Sequence, residues 1–166
     1  MTLDEMLIRN AIQYTIGRYC SAIDRACYDE LTEVFTPDAV VTFCNAPSLI
    51  GHQHIVSTMT NAADKRGSLL PQNFQRHLLG NSIINVLDSR NAKAVHYISV
   101  ISELGPDHSG VYIDDFVKSG ERWLVAHRQA NVEWVRPDSR FAAAHGGPLP
   151  TPRPQLNIGY VRPVGS

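Results

Sequence analysis

Cysteine is scarce in this chain of 166 residues, which has only Cys20, Cys27 and Cys44. None of the three belongs to a paired C-x-x-C motif, so the sequence predicts neither a disulfide framework nor a zinc site. On one helix, a rise of about 1.5 Å per residue would separate Cys20 from Cys27 by roughly 10 Å, which is too far for a disulfide bond. We expect all three cysteines to be free thiols in a reducing compartment and to pack as small, buried apolar side chains.

An excess of charge of one sign and long apolar runs are also missing. Lys and Arg number 15 against 16 Asp and Glu, and the net charge is −1. No basic stripe interleaves with aromatic residues, which disfavours nucleic acid as a partner. No apolar run approaches the roughly 20 residues of a membrane-spanning helix, and residues 1–5 lack the basic start of a signal peptide. We therefore expect a cytoplasmic protein with no membrane partner.

Motifs for cofactors and metals are absent as well. The chain contains no G-x-G-x-x-G sequence and no P-loop. His52 and His54 are two residues apart, whereas metal-binding histidines on a helix are typically four apart, with a third ligand nearby. The sequence therefore predicts neither a metal nor a cofactor.

The composition that remains is that of an ordinary globular domain. The chain is 43% hydrophobic and 19% charged, with 10 prolines and 11 glycines. These values fit a single hydrophobic core, which we place in residues 1–136. Residues 137–166 are rich in proline and glycine and have few periodic apolar positions, so we expect them to form an irregular C-terminal arm.

Helices are predicted in the first part of the chain. Apolar residues recur at helical spacing over residues 4–35. A break near residues 26–29 divides this stretch, and Asp29 is placed to cap a short second helix. A further helix is expected at residues 54–65.

Strand patterns dominate the rest of the sequence. A turn at residues 36–38 precedes a first strand at residues 39–43. Long β-type runs joined by short turns cover residues 76–87, 92–104, 110–118 and 122–135. Gly80 and Gly110 are expected where the sheet bends or two backbones approach closely. Helices followed by antiparallel strands predict an α+β domain whose sheet curls around the helices.

One acidic residue stands where an apolar residue is expected. Asp24 closes the apolar stretch of the first helix, and burying an unpaired carboxylate is costly. His77, in the first long strand, is the candidate partner, and an Asp–His pair leaves one ring nitrogen as a base for proton transfer. Two alternatives stay open: Asp24 is solvated or caps the helix break, and His77 is an ordinary core or surface residue.

Several short motifs together resemble a known family. They are Ile8-Arg9-Asn10-Ala11-Ile12, Tyr19-x-x-Ala22-Ile23-Asp24, Leu31-x-x-Val34-Phe35-Thr36-x-Asp38-Ala39, Gly51-His52-x-x-Ile55 and Trp123-Leu124-Val125-x-His127-Arg128. Residues 6–135 are thereby similar to the SnoaL-like branch of the nuclear transport factor 2-like superfamily. The resemblance implies a cone-shaped, strongly curved antiparallel or mixed sheet, closed by N-terminal helices around an apolar cavity.

Within that branch the pattern is nearest to bile-acid 7α-dehydratase, scytalone dehydratase and hexachlorocyclohexane dehydrochlorinase. The resemblance assigns catalytic roles to Asp24, His77, Arg128 and Tyr19. His77 would act as the base, and Arg128 or Tyr19 would stabilise an oxyanion or a leaving group. The residues alone leave core packing open for Tyr19 and an ion pair with an aspartate open for Arg128.

A second group of residues is named as candidate substrate contacts. Strand alternation places neighbouring residues on opposite sheet faces, so one carboxylate of the pair Asp114-Asp115 is able to face the cavity. The same holds for the pair His96-Tyr97. The candidate substrate contacts are Tyr14, Asp115, Tyr97 and Trp134.

The predicted function is cofactor-independent dehydration of a hydrophobic cyclic small molecule. Isomerisation, polyketide cyclisation and epoxide opening use the same kind of site, and the sequence does not separate them. A third interpretation is a non-catalytic ligand carrier, or a protein like the small subunit of ring-hydroxylating dioxygenases. Exposed apolar sheet surface predicts self-association, and the resemblance favours a trimer over a dimer. The arm at residues 137–166 is expected to dock on the cavity mouth or on a neighbouring subunit.

Overall fold

The computed structural model describes residues 1–43, 46–65, 74–139 and 141–142. Helix α1 covers Leu3–Asp24 and begins with a capping box, in which the side chains of Thr2 and Glu5 accept hydrogen bonds from each other's backbone N–H groups. Helix α2 covers His52–Lys65. Among the described residues, no helix is long and apolar enough to cross a membrane.

The chain between α1 and the sheet breaks as the sequence predicts, but by a different device. Ala26 adopts a left-handed backbone conformation with φ 56°, and a 3₁₀ helix follows at Tyr28–Glu33. The residue before that helix is Cys27, which makes no side-chain capping hydrogen bond. The expectation that Asp29 caps this helix is therefore wrong, because Asp29 already lies within its first turn.

Six strands form a single open, curved sheet in the order β2-β1-β6-β5-β4-β3. They are β1 Phe35–Phe43, β2 Leu49–Ile50, β3 Gln75–Val86, β4 Asn91–Ser102, β5 Gly105–Ser119 and β6 Arg122–Val135. Neighbouring strands are antiparallel except β1 and β6, which run parallel. The predicted α+β fold, a curved sheet with N-terminal helices, is confirmed.

Two strands begin earlier than the sequence predicts. The expected turn at residues 36–38 lies inside β1, where the pairing with β6 is interrupted between Phe35 and Val40. Pro37 has no N–H to donate and is tolerated at this irregularity. Strand β5 begins at Gly105 rather than at residue 110, because Gly105 and Pro106 already pair with β4.

Helix α1 packs across β3 and β6 and defines the inner face of the sheet. The Thr15 hydroxyl of α1 donates a hydrogen bond of 2.6 Å to the backbone carbonyl of Trp123 at the start of β6. Directly paired strand residues share a face, and the inner face carries rows of such partners. One row joins His77 of β3, Val100 of β4 and His108 of β5. A deeper row joins His96 to Tyr112.

Gly110 is a point of close approach between β5 and β6. A Cβ atom at this position would lie 1.9 Å from the backbone oxygen of Asn131, which no side chain tolerates without a backbone shift. We expect Gly110→Ala to lower the free energy of unfolding by about 1–3 kcal/mol, the usual cost of overpacking. Urea unfolding monitored by circular dichroism measures this change.

Gly17 provides the matched control for Gly110. It lies within α1, and nothing would come within 4 Å of an added Cβ atom. Gly17→Ala is therefore expected to raise the free energy of unfolding by up to about 1 kcal/mol through helix propensity. Equal effects of the two substitutions would contradict the close approach at Gly110.

Cysteine side chains in the described residues are free thiols. Cys20 is buried in α1 and Cys27 is half-buried. Burial raises the pKa of the Cys20 thiol to about 11, so this group behaves as a small apolar side chain at neutral pH. Cys44 lies outside the described residues.

Candidate active site

The end of α1 meets the start of β3 in an Asp–His pair. The Oδ1 atom of Asp24 lies 2.8 Å from Nδ1 of His77 and also accepts a hydrogen bond of 2.9 Å from the His77 backbone N–H. The two side chains are 4% and 7% exposed, respectively. The structure thus brings together the acidic residue and the histidine that the sequence singles out.

The second carboxylate oxygen of Asp24 also has a partner. Nη1 of Arg76 lies 3.5 Å from Oδ2, and the arginine side chain extends into solvent. The buried carboxylate is therefore paired through both oxygens, as a buried charge requires. A hydrogen bond from Nδ1–H to Asp24 assigns the tautomer in which Nε2 of His77 carries the lone pair. This nitrogen is the one that can accept a proton.

A cavity of about 280 Å³ lies against His77. This volume lies just below the range of about 300–1,000 Å³ that is usual for ligand pockets. Apolar side chains in its lining include Ile23, Phe43, Leu49, Met59, Ile98 and Val132. Side chains with a polar group include Tyr19, Tyr28, Gln75, His77, His108, Tyr112 and Asn131. Such a site suits a small hydrophobic molecule with few polar groups.

Two tyrosines, Tyr19 of α1 and Tyr112 of β5, meet edge to face in the cavity wall. Their ring centroids are 5.6 Å apart, and their hydroxyls are hydrogen-bonded to each other. The Tyr19 ring also lies edge-on to the His77 imidazole, at 6.4 Å. Burial raises the pKa of both phenols, and the Arg128 guanidinium offsets only part of this rise. Both hydroxyls are therefore protonated at neutral pH and can donate hydrogen bonds.

Arg128 lies beneath these tyrosines rather than in the cavity lining. Its Nε and Nη2 atoms donate to the two carboxylate oxygens of Asp114 at 2.8 and 2.6 Å, and both side chains are fully buried. The guanidinium carbon is 4.2 Å from the ring centroids of both Tyr19 and Tyr112. Burial alone lowers the pKa of Arg128, but the Asp114 carboxylate raises it above its ordinary value. Arg128 is a permanent buried cation that holds the two phenol rings.

His96 completes the polar cluster below the cavity. Its Nδ1 atom lies 2.8 Å from the Ser82 hydroxyl, and its Nε2 atom lies 3.8 Å from Oδ2 of Asp114. Burial lowers the pKa of His96 to about 4; Asp114 opposes this shift and Arg128 adds to it. The imidazole is therefore neutral in the folded protein at neutral pH.

This depressed pKa predicts a loss of stability in weak acid. Between about pH 6.5 and 4 the unfolded chain binds a proton at His96 that the folded chain does not, so stability falls as the pH falls. The full shift corresponds to about 3 kcal/mol. Urea unfolding of His96→Asn at several pH values should show a smaller loss than the unchanged protein. Parallel pH curves for the two proteins would contradict the prediction.

A second Asp–His pair, which the sequence patterns do not predict, lies beside the cavity, with His108 in the cavity lining. Nδ1 of His108 lies 2.7 Å from Oδ2 of Asp107, and the Ser139 hydroxyl donates to the same oxygen at 2.7 Å. The His108 ring stacks on Phe141 with a centroid distance of 4.1 Å. Asp107 and Ser139 are buried beside it.

Most of this chain matches the sequence pattern of a known protein family. The family described as SnoaL-like domain matches residues 4–129, which is most of the chain. The chain belongs to the SnoaL-like family. Asp24, His77 and His108 all lie within the matched residues, whereas Ser139 and Phe141 follow them.

Relatives of this SnoaL-like chain include the uncharacterized protein Rv2910c of Mycobacterium tuberculosis, 26% identical over 77% of this chain and 87% of the relative. A candidate scytalone dehydratase from Novosphingobium aromaticivorans has a similar structure, with a TM-score of 0.70 and 18% identity over 82% of this chain and 91% of that one. The type 3 hexachlorocyclohexane dehydrochlorinase of Novosphingobium barchaimii gives a TM-score of 0.66 and 14% identity, covering 81% and 92%. At these identities, the two structures show a shared fold.

The candidate substrate contacts lie outside the cavity of this SnoaL-like protein. Tyr14 is 66% exposed and borders a separate groove with Trp123. Asp115 is exposed and forms an ion pair of 2.7 Å with Lys93. Tyr97 and Trp134 are 41% and 49% exposed, and neither borders the cavity. The structure therefore does not bring these four residues to the cavity. Strand alternation turns Tyr97 and Asp115 to the outer face, and a register shift between β5 and β6 pairs Trp134 with the outward-facing Ser109.

The remaining expectations for this SnoaL-like chain concern metal binding, the C-terminal arm and the oligomeric state. In the described ranges, no three His, Cys, Asp or Glu side chains group as a metal site. Of the C-terminal arm at residues 137–166, only residues 137–139 and 141–142 are described. The docking of the whole arm and the trimer stay predictions.

Proposed function

We propose that this protein is a cofactor-independent lyase that removes water from a small, hydrophobic, cyclic alcohol. The observation that carries the proposal is the contact of 2.8 Å between Asp24 and His77, with His77 bordering an apolar cavity. An imidazole held by a carboxylate at Nδ1 is a positioned base at Nε2, and such a base contributes roughly 10²- to 10⁴-fold to a proton-transfer rate. The SnoaL-like family membership supports the same conclusion.

The proposed reaction begins with a proton on the carbon beside a carbonyl group. His77 removes this proton, the electrons of the C–H bond form a carbon–carbon double bond, and the C–O bond to the neighbouring hydroxyl breaks. Negative charge develops on the carbonyl oxygen during proton removal. The hydrogen bond between the Tyr19 and Tyr112 hydroxyls uses one of the two phenol protons, and the other proton is suited to be donated to that oxygen. Arg128 acts on this step through the two phenols that it contacts.

The cavity supports a substrate of one or two rings. A volume of about 280 Å³ with a mainly apolar lining favours a compact hydrocarbon skeleton with two oxygen substituents. An open apolar cavity also argues against the interpretation as a non-catalytic subunit, for which we expect a filled or polar interior. A bicyclic β-hydroxyketone matches both the size and the reaction.

The test is incubation with 3-hydroxy-1-tetralone and analysis of the product by mass spectrometry. We expect a product lighter by one water, 1-naphthol, whose absorbance also gives the rate. An isomerase would leave the mass of an unsaturated ketone unchanged, and an epoxide hydrolase would add one water to 1,2-epoxytetralin. Turnover of the epoxide without any loss of water from the hydroxyketone would contradict the proposal. Binding of the hydroxyketone with no reaction would favour a ligand carrier.

A further inference from the structure

The pair formed by Asp107 and His108 owes its geometry to a β-bulge. Neighbouring residues on a strand normally point to opposite faces. In β5, however, Pro106 pairs with Ile101 and His108 pairs with Val100, so Asp107 is an extra residue without a partner in β4. A bulge of this kind redirects a side chain. It allows the Asp107 carboxylate to reach Nδ1 of the adjacent His108 at 2.7 Å.

The residues that follow β6 hold this pair in place. The Ser139 hydroxyl donates to the Asp107 carboxylate at 2.7 Å and itself accepts the Ala142 backbone N–H at 3.2 Å. Phe141 stacks on the His108 ring, with an interplanar angle of 20°. Burial raises the pKa of Asp107, but the hydrogen bonds from His108 and Ser139 lower it below its ordinary value. The pair is thus a carboxylate and an imidazole aligned by three separate contacts.

The two histidines occupy one row of the inner face. His77 and His108 are both direct partners of Val100, from the two strands that flank β4. Two strand spacings of about 4.8 Å separate their backbones by roughly 10 Å. Both imidazoles border the same cavity. A ring of the size that this cavity admits can lie between them, with one histidine on each side.

We propose that His108 is a second acid–base residue, which protonates the departing hydroxyl while His77 takes the carbon-bound proton. This inference rests on the proposed lyase function and completes its chemistry, because hydroxide is a poor leaving group without a proton. Asp107 and Ser139 are positioning residues that orient His108.

The step balances in atoms and charge. His77 gains the proton from carbon, and the C–H electrons form the double bond. The C–O bond breaks with its electron pair on oxygen, and protonated His108 gives its Nε2 proton to that oxygen, which leaves as water. His108 then keeps the Nδ1 proton that Asp107 holds, and a proton passes from His77 to His108 before the next cycle. No oxidant, reductant or metal is consumed.

The inference is tested with two probes that differ only in the leaving group. 3-Hydroxy-1-tetralone needs a proton on its hydroxyl, whereas the acetate of 3-acetoxy-1-tetralone departs without one. We expect His108→Gln to lower kcat/KM for the hydroxy probe by about 10²- to 10⁴-fold, the usual range for a positioned acid, and to leave the acetoxy probe nearly unchanged. Ser139→Ala should show the same selectivity with a smaller loss. His54→Gln, on the exposed side of α2, should change neither rate.

The outcomes separate this inference from the proposed function. Equal losses on both probes in His108→Gln, or no loss on either, would overturn the role of His108. Full activity of His77→Gln on both probes would instead end the proposed function. A readout that needs no turnover is the side-chain ¹⁵N resonance of each histidine on titration with 1-naphthol. A response of both His77 and His108 supports the inference, and a response of His77 alone overturns it.

Discussion

Replacing His77 with glutamine is expected to abolish proton abstraction in the cavity while the fold remains intact. The amide of glutamine can still donate a hydrogen bond to Asp24, but it has no nitrogen lone pair that accepts a proton. The reporter is 5-nitrobenzisoxazole, whose ring opens when a base removes one carbon-bound proton and whose phenolate product needs no acid. We expect the rate of this reaction to fall by about 10²- to 10⁴-fold, measured from the absorbance of the phenolate.

Two further variants make this result specific. Asp24→Asn keeps the imidazole but no longer fixes its tautomer, so we expect a smaller loss, of about 10²-fold. His54→Gln removes an exposed imidazole that does not border the cavity and should leave the rate unchanged. Thermal melts of each variant confirm that the fold persists. An unchanged rate in a folded His77→Gln protein would exclude His77 as the base.

Replacing Arg128 with methionine is expected to cost about 3–5 kcal/mol of the free energy of unfolding. The substitution leaves the Asp114 carboxylate fully buried without the guanidinium that accounts for both of its hydrogen bonds at 2.6 and 2.8 Å. Breaking one side of a buried ion pair has a cost of this size, because an uncompensated charge stays in a medium of low dielectric constant. Urea unfolding with an unchanged m-value measures the loss.

The exposed pair of Lys93 and Asp115 is a matched control on the neighbouring register position. The contact distance of 2.7 Å between Lys93 and Asp115 is close to those in the buried pair of Arg128 and Asp114. Both side chains of the Lys93–Asp115 pair are nevertheless about half exposed. Lys93→Met should therefore change the free energy of unfolding by less than about 1 kcal/mol. The double variant Arg128→Met with Asp114→Leu should recover much of the lost stability, since no charge then remains buried. An Arg128→Met effect as small as that of Lys93→Met would contradict the assignment.

The Asp24–His77 pair could be anticipated because it rests on an energetic conflict visible in the sequence. A carboxylate at the end of an apolar helix needs a partner, and the alternation around His77 supplied a strand residue able to provide one. The helices, the four long strands and the α+β class follow from the same periodic patterns. These features depend on local sequence, which is why they could be predicted.

The second pair could not be predicted because it depends on contacts that local patterns do not encode. Gly105, Pro106 and Asp107 have the composition of a turn, yet they begin a strand whose bulge turns Asp107 toward His108. Ser139 joins them from beyond β6. A signal was nonetheless present, since an adjacent Asp and His ahead of a β-type run is a combination worth testing as a pair.

The inner and outer faces of the sheet could not be distinguished from the sequence either. A period of two shows that Asp114 and Asp115 point apart, but the face that receives α1 is decided by tertiary packing. The structure turns Asp114 inward to Arg128 and leaves Asp115 outside with Lys93. Tyr112 lies two residues before Asp114 on β5 and therefore points to the same, inner face. This spacing was visible in the sequence and could have grouped Tyr112 with Asp114.

The parallel pairing of β1 with β6 governs when this protein can fold during its synthesis. Thr42 of β1 donates a hydrogen bond to the backbone oxygen of Arg128, 86 residues later in the chain. β1 lies between β2 and β6 in the sheet, so the first third of the chain lacks its main strand partner until β6 has left the ribosome. Contacts of such long range slow folding and prolong the exposure of unpaired strand edges. Nascent chains that stop before β6 are therefore the form most exposed to aggregation and to binding by chaperones.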